Sequence, residues 1–513
     1  MDLHDGNETT ESRFAAYVER LAAELGHADR KAPLKAYCMG LMLPGARKSI
    51  EPMAARIEPW RVQAAHQSLH HFVANAEWSD EAVLAAVRAE ALPALERQGP
   101  IRAWIVDDTG LPKKGQHSVG VARQYCGQLG KQDNCQVAVS LSVANDHASL
   151  PVAYRLYLPD SWANDPERRA KAGVPGDVAF RTKPEIALDQ IRAALAAGIA
   201  QGVVLADAGS GADTAFRTGV SELGLAYVVG IQSSTSLWAP GTEPLPPKRW
   251  SGRGRPPSLM RRDGDHKPVS AKALALSLPD DAWHTVTWRE GTNAPLTSRF
   301  AALRVRPSHR DYWRSAPRPQ EWLLVEWSKD EAEPSKYWLS TLPEDTPLPD
   351  LVDQAKLRWR IERDYLELKQ EIGLGHYEGR GWRGFHHHAT LCIAAYGFLI
   401  SERSLIPPSA PGRRPVLKAP AIPQDYRPRG APAAARTPCR RLDRHHAHQD
   451  CTRPRTASLP MPVLPATTVY DTVRLRVLSS LSGVGEVKLL LSSSGLHARG
   501  SRASLRGRRR PAA

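Results

Sequence analysis

The chain has 513 residues, 42% of them hydrophobic and 24% charged, a composition that excludes wholesale disorder and gives room for two or more folding units. It contains no run of eighteen apolar residues and starts on an acidic, polar stretch, so neither a membrane span nor a secretory signal is expected. The formal net charge of +15 points towards nucleic acid only until it is located: residues 406–513 hold 20 Lys+Arg against 5 Asp+Glu, which leaves the remainder balanced at 49 of each.

Residues 12–95 read as helical. Phe14 to Leu25 and Val83 to Leu95 carry apolar residues at three-to-four spacing, and the stretches between them look like short helices broken by Pro44 and Pro59. Arg47, Lys48, Arg56 and Arg61 are scattered over this part. Strands begin at Ile101-Arg-Ala-Trp-Ile-Val106 and recur at 136–143 and 153–158, a spacing that predicts an antiparallel meander. A helix at 185–198, a buried strand at 203–206, a helix at 214–223 and a strand at 226–231 then imply a mixed α/β sheet covered by helices. Residues 238–263, rich in Pro, Gly and Arg, read as an exposed loop. Four more strands are expected at 283–290, 299–305, 322–327 and 337–341, then a long helix over 351–372 and a last apolar helix at 389–400.

The stretch 406–513 is different material. It has none of the 14 tryptophans, 18 of its 20 basic residues are Arg, and no amphipathic pattern survives in it, so disorder is expected. These features suggest out-of-frame translation after about Gly430; Arg-rich disorder that binds DNA nonspecifically is the alternative. The six cysteines (Cys38, Cys126, Cys135, Cys392, Cys439 and Cys451) lack close paired spacing and read as reduced thiols of a cytoplasmic protein.

Three sites carry chemistry. Asp107 and Asp207 each follow an apolar β-run and open a glycine-containing turn, and carboxylates at the ends of neighbouring strands converge at one sheet edge. Such an arrangement suits an oxygen-seeking cation such as Mg²⁺, and the Gly209/Gly211 turn leaves room for a phosphate. For either Asp alone, turn formation is the commoner role. In Leu357-Arg-Trp-Arg-Ile-Glu-Arg-Asp-Tyr-Leu-Glu-Leu-Lys369, a regular helix would bring Arg358, Glu362 and Lys369 within roughly 40° of one another. That puts a carboxylate and two cations at the rim of the apolar stripe Leu357, Ile361, Leu368 and Ile372; a solvated Arg–Glu pair, worth ~0.2–0.5 kcal/mol, is the plain alternative.

Taken together, Ile-Val-Asp107-Asp-Thr-Gly, Val-Leu-Ala-Asp207-Ala-Gly-Ser-Gly and the Arg358–Lys369 block resemble the bacterial insertion-sequence transposases of the DDE superfamily, in particular the group with a β-strand insertion before the final Glu and a Tyr-Arg-Glu-Lys signature. Ser118–Cys126 and Gly379–His388 resemble that group's recurring blocks, and the resemblance spans about 30–405. The signature's Tyr position falls on Ala355. The resemblance implies an RNase H-like α/β fold interrupted by a β-rich insertion and preceded by a small helical domain: 1–98 helical, 99–231 first part of the core, 232–345 insertion, 346–405 final part, 406–513 tail. It implies that Asp107, Asp207 and Glu362 hold two Mg²⁺ ions, with Mn²⁺ able to substitute, and that the protein cuts DNA and transfers the freed strand. Asp108 stays open as the first ligand, although Asp107 fits the family's Asp-x-Thr spacing. Arg358 and Lys369 are expected to hold DNA phosphates, and Trp338 matches the position where a flipped base stacks; as a plain sequence feature it is equally a β-core residue. Lys113, Lys114, Arg123 and Lys131 are candidate DNA contacts, each equally a solvated surface charge. The expected partner is double-stranded DNA, both the element's terminal repeats and its target, bound by a homodimer. Rival readings are a Mg²⁺-dependent nuclease without strand transfer and a DNA-binding regulator with a dead core. His386-His387-His388 is not read as a metal site, because consecutive helical residues point about 100° apart.

Overall fold

The computed structural model describes residues 9–289 and 295–406, so the expectations for 407–513 lie outside the described residues. Five helices lead: α1 (Thr10–Ala23), α2 (Lys31–Met42), α3 (Ile50–Ile57), α4 (Val62–His70) and α5 (Asp80–Glu96). Thr9 and Ser79 cap α1 and α5 with their side chains. α2 and α3 stop just ahead of Pro44 and Pro59, because the residue before a proline is pushed out of the helical region.

The sheet follows: β1 (Ala103–Pro112), β2 (Ala122–Cys126), β3 (Lys131–Ala144) and β4 (Ser149–Leu156), then the short helices α6 (Asp160–Ala163) and α7 (Pro166–Ala172). α8 (Lys183–Ala196) opens with a Thr182/Glu185 capping box. β5 (Val203–Ala206), α9 (Ala208–Gly211), α10 (Thr214–Glu222) and β6 (Tyr227–Ile231) complete the first part. β1, β3 and β4 form the expected antiparallel meander, and β5 and β6 run parallel to β1. This is the RNase H-like arrangement. β5 and β6 read as short, almost wholly apolar runs because parallel strands are covered on both faces.

The stretch 236–340 continues the same sheet. Its strands are β7 (Ser236–Trp238), β8 (Val269–Ser270), β9 (His284–Arg289), β10 (Leu296–Pro307), β11 (Glu321–Trp327) and β12 (Lys336–Ser340), with α11 (Ala271–Leu276) after β8. β12 pairs antiparallel with β6, and the described strands run in the order β2-β3-β1-β5-β6-β12-β11-β10-β7-β8. α12 (Leu348–Lys356), α13 (Trp359–Leu366) and α14 (Trp382–Ser404) close the described chain.

Alternation along the strands separates two cores. Trp104, Val106, Val204 and Val229 belong to the larger core, shared with the leading helices and α14; α14 is buried almost all round, as an apolar helix without a polar face must be. Ala103, Ile105, Leu205 and Val228 face the other way, beneath α12 and α13. Among the described residues no helix is long and apolar enough to cross a membrane.

Two expectations are corrected. The first concerns β1, which runs through Asp107, Asp108 and Thr109 to Pro112 because β3 pairs with it along its whole length; Asp107 therefore lies within the strand and does not open a turn. The second concerns the helix expected over 351–372, which is broken. Around 357–361 it tightens to bonds three residues back, Arg360 N–H to Leu357 O (3.1 Å) and Ile361 N–H to Arg358 O (3.1 Å), and over Glu367–Ile372 it widens to a π-helix that ends at Gly373, φ +89°. Tight and wide turns offset one another in angular phase, so the average period survives in the sequence while the break does not show.

Candidate active site

β1 and β5 pair only through Ile105 and Leu205, so Asp107 and Asp207 stand two residues beyond the last paired position of each strand. Both lie past the carboxyl ends of parallel pairing, where a crevice opens in sheets of this type. Residues 103, 105 and 107 share a face, and that face is the one α12 and α13 cover. Asp108 points the other way and pairs with Lys183 Nζ at 2.6 Å.

Asp207 caps α9: its Oδ1 accepts from Gly209 N–H (3.0 Å) and Ser210 N–H (3.2 Å), and the carboxylate is exposed. The turn it opens is pressed onto β6. A Cβ on Gly211 would come within 2.1 Å of Gly230 O, and one on Gly230 would come within 2.9 Å of Ala208 N. Gly211 thus serves this close packing, where the sequence suggested space for a phosphate. Asp207 is both a turn-former and a carboxylate at the crevice.

α13 supplies the rest. The tight turn sends Arg358 to Asp107, with Nη2 to Oδ1 at 2.8 Å and side chains 23% and 13% exposed. Tyr365, seven residues on, hydrogen-bonds Ser140 Oγ (2.6 Å) and reaches the Asp107 carbonyl (3.5 Å). Lys369 Nζ donates to Gly110 O (3.2 Å), and burial lowers its pKa. Glu362 is exposed. Burial pushes the Asp107 carboxyl up to about 6; Arg358 opposes that rise, while Asp207 and Asp108 add to it. Burial alone would lower the Arg358 pKa, but it is raised, because Asp107, Asp207 and Glu362 all act on the guanidinium. One cation therefore feels the three carboxylates that the sequence singled out, from positions 107, 207 and 362.

All three carboxylates act on Arg358, but only Asp107 is in contact with it, and they do not close on one point. Among the described residues no set of three or more His, Cys, Asp or Glu side chains is gathered closely enough to hold a metal ion. The chemistry of the donor set still fits a hard divalent cation: three carboxylates that act on one guanidinium, which is in contact with Asp107, and one carboxyl driven up by burial with smaller help from neighbouring negative charge. Gathering them requires Glu362 to move inwards and Arg358 to move away from Asp107.

Other expected residues lie elsewhere. Trp338 sits on β12, half-buried against the core under α12, with Lys356 Nζ 5.6 Å from its ring centre. Ala355, at the signature's Tyr position, is buried in that core. Lys113 donates to the Tyr377 carbonyl (2.6 Å), and burial lowers its pKa to about 8; Lys114 and Arg123 are exposed, and Lys131 pairs with Asp133 at 3.1 Å. Each of the three histidines serves a different element: His386 meets Leu156 N, His387 lies between the Val73 and Trp78 carbonyls, and His388 lies between Tyr37 OH and the Gly373 carbonyl. Tyr365 is the contact the sequence reading missed; its seven-residue spacing from Arg358 was the available signal.

The family model described as DDE superfamily endonuclease matches residues 20–295, more than half of the chain. The chain belongs to the DDE superfamily endonucleases. Asp107 and Asp207 fall inside that match and Glu362 falls beyond it. The chain is also 36% identical over 169 residues to a probable transposase for insertion sequence element IS701 of Microchaete diplosiphon, a match covering 33% of this chain and 41% of that relative.

Proposed function

We propose that this endonuclease is the transposase of an insertion sequence, cutting DNA at the element's ends and joining the freed 3′ ends to target DNA, with Asp107, Asp207 and Glu362 as the carboxylates of the site. The observation that carries this is the position of Asp107 and Asp207 just past the parallel pairing of β1 and β5, with Arg358 of the Glu362 helix on Asp107 at 2.8 Å, in a chain of this family. The chemistry supplied by bound Mg²⁺, or Mn²⁺ in its place, is positive charge that offsets the phosphodiester's repulsion of a nucleophile and the charge growing on the departing oxygen.

The chain's own residues have definite tasks. Asp107, rigid in a strand, and Asp207, fixed by two backbone N–H groups, present oxygens from the sheet. Glu362 closes from the helix. Arg358 holds Asp107 until a DNA phosphate takes its guanidinium, and Lys369 holds a second phosphate beside the cut. Tyr365 keeps α13 in register with β1. Because the freed 3′-hydroxyl is already in the crevice, strand joining needs no second site. Two ends have to be brought together, which favours a dimer on DNA, acting in the cytoplasm.

The test is incubation of the full chain with the element's terminal DNA, target DNA and Mg²⁺, alongside Glu362→Gln. We expect cut ends and joined products from the native chain and neither from the variant, with end binding retained by both. Equal cleavage by both would remove Glu362 from the site; cleavage without joined products would reduce the protein to a nuclease.

A further inference from the structure

On the flank of α13 turned away from Asp107 lies a cavity of about 530 Å³, at the junction of α5, the β3–β4 turn, α13 and α14. Its walls carry Arg97, Arg360 and Arg363, with Ser149, Asp364 and Tyr396 at its floor. Asp364 is 2% exposed. Its Oδ1 accepts from Ser149 Oγ (2.6 Å) and Tyr396 OH (3.0 Å), while its buried Oδ2 has no partner. Arg360 Nε is likewise buried without a partner, and Arg97, at the end of α5, has none among the described residues. Arg363 gives its Nε to Glu367 and leaves its terminal nitrogens available.

A buried acceptor without a donor, an Arg360 Nε without a partner and an Arg97 side chain without an ion-pair partner among the described residues ask for a ligand that carries both complements. We propose that this cavity takes one nucleotide unit, its phosphate against Arg97, Arg360 and Arg363 and an N–H of its base on Asp364 Oδ2. Every nucleobase carries such an N–H, and Ile400 and Ile406 add apolar wall for the base plane. The volume lies within the range of small-ligand sites. An inorganic anion alone would leave Asp364 Oδ2 without a donor, and an uncharged nucleoside would leave Arg97 and Arg360 Nε without an anion. Because Arg360 and Asp364 flank Glu362 in sequence, an occupied cavity fixes α13 from behind.

Calorimetric titration of the full chain in EDTA with 5′-dAMP, deoxyadenosine and inorganic phosphate tests this. We expect dAMP to bind, with the nucleoside and phosphate each at least about tenfold weaker. Arg97→Ala, at an exposed position where folding is not at risk, and Asp364→Asn should each weaken dAMP by about tenfold, while Lys329→Ala, at an exposed position outside the cavity lining, binds as the native chain does. Displacement of dAMP by a 5′-phosphorylated single strand assigns the nucleotide to a DNA strand; displacement by mononucleotides alone assigns it to the free pool. Equal binding by native chain and Arg97→Ala, equal loss in Lys329→Ala, or no dAMP binding at millimolar concentration would overturn the proposal.

Discussion

Two cation–carboxylate pairs link one stretch of chain to the sheet, and they differ in kind. Lys356, the last residue of α12, sets its Nζ 2.6 Å from both oxygens of Glu326 on β11, with side chains 9% and 3% exposed. The rings of Trp288, Phe300 and Trp338 surround that ammonium at 4.3–5.6 Å. Two residues on, Arg358 meets Asp107 in a crevice that also holds the charges of Asp207 and Glu362. In the first, a buried carboxylate is answered by a buried ammonium, with the exposed Lys336 a further 3.8 Å partner; in the second, three carboxylates act on one guanidinium. The lesson is that burial of an ion pair marks structure, whereas an unbalanced surplus of one sign at a crevice marks chemistry.

The largest expected effect separates the pairs by activity. Asp107→Asn, Asp207→Asn and Glu362→Gln should each reduce Mg²⁺-dependent cleavage of end DNA roughly 10³-fold or more, as loss of several kcal/mol of transition-state charge stabilisation requires. Lys356→Ala should instead destabilise the fold by up to about 3–5 kcal/mol in denaturant melts, because Glu326 is left buried with only the exposed Lys336, 3.8 Å away, to answer it, while Lys356→Leu with Glu326→Leu should be close to neutral. A melt in which Lys356→Ala is no worse than the double variant would erase the distinction.

The pH response sharpens it further. The Asp107 carboxyl is raised from its ordinary 3.8 to about 6, so the folded state holds that proton more tightly than the unfolded chain does. Stability from this group is therefore greatest below about pH 3.8 and is lost as the pH rises to about 6, with the penalty constant above that. Asp107→Asn should gain at most about 3 kcal/mol over the native chain at pH 7.5 and nothing near pH 3.5, read from thermal midpoints at the two pH values. Cleavage by the native chain should fall as the pH drops through 6. The smallest effects belong to the surface: Lys183→Ala should cost about 0–1 kcal/mol and leave cleavage intact, and Lys114→Ala should lower the salt-dependence slope of DNA binding by about 1.

Much of this arrangement could be read from the chain. Val203-Val-Leu-Ala206 followed by Asp207-Ala-Gly is a buried strand ending in a cap, and its local pattern carries that much, while its parallel pairing with β1 and β6 is set by the fold. β1 was only half legible: Asp107-Asp-Thr109 looks like a turn, and only pairing with β3, some thirty residues later, holds it in the sheet. Which of Asp107 and Asp108 faces α13 turns on strand alternation, which the structure supplies and the sequence leaves open. The break in the helix at 357–361 was invisible because a later wide turn restores the phase. Partnerships such as Lys356–Glu326 and Asp364–Tyr396 were beyond reach for another reason: they join residues 30 and 32 positions apart across different elements, and no local period encodes them.

The most direct measurement is Mn²⁺ binding followed by electron paramagnetic resonance, with the full chain on its terminal DNA. Three carboxylates scattered over 255 positions should act as one set, so each of Asp107→Asn, Asp207→Asn and Glu362→Gln should weaken Mn²⁺ by a similar large factor, and any two together should add little. If Glu362→Gln binds Mn²⁺ as tightly as the native chain, the helix contributes no ligand and the crevice between β1 and β5 is not the site described.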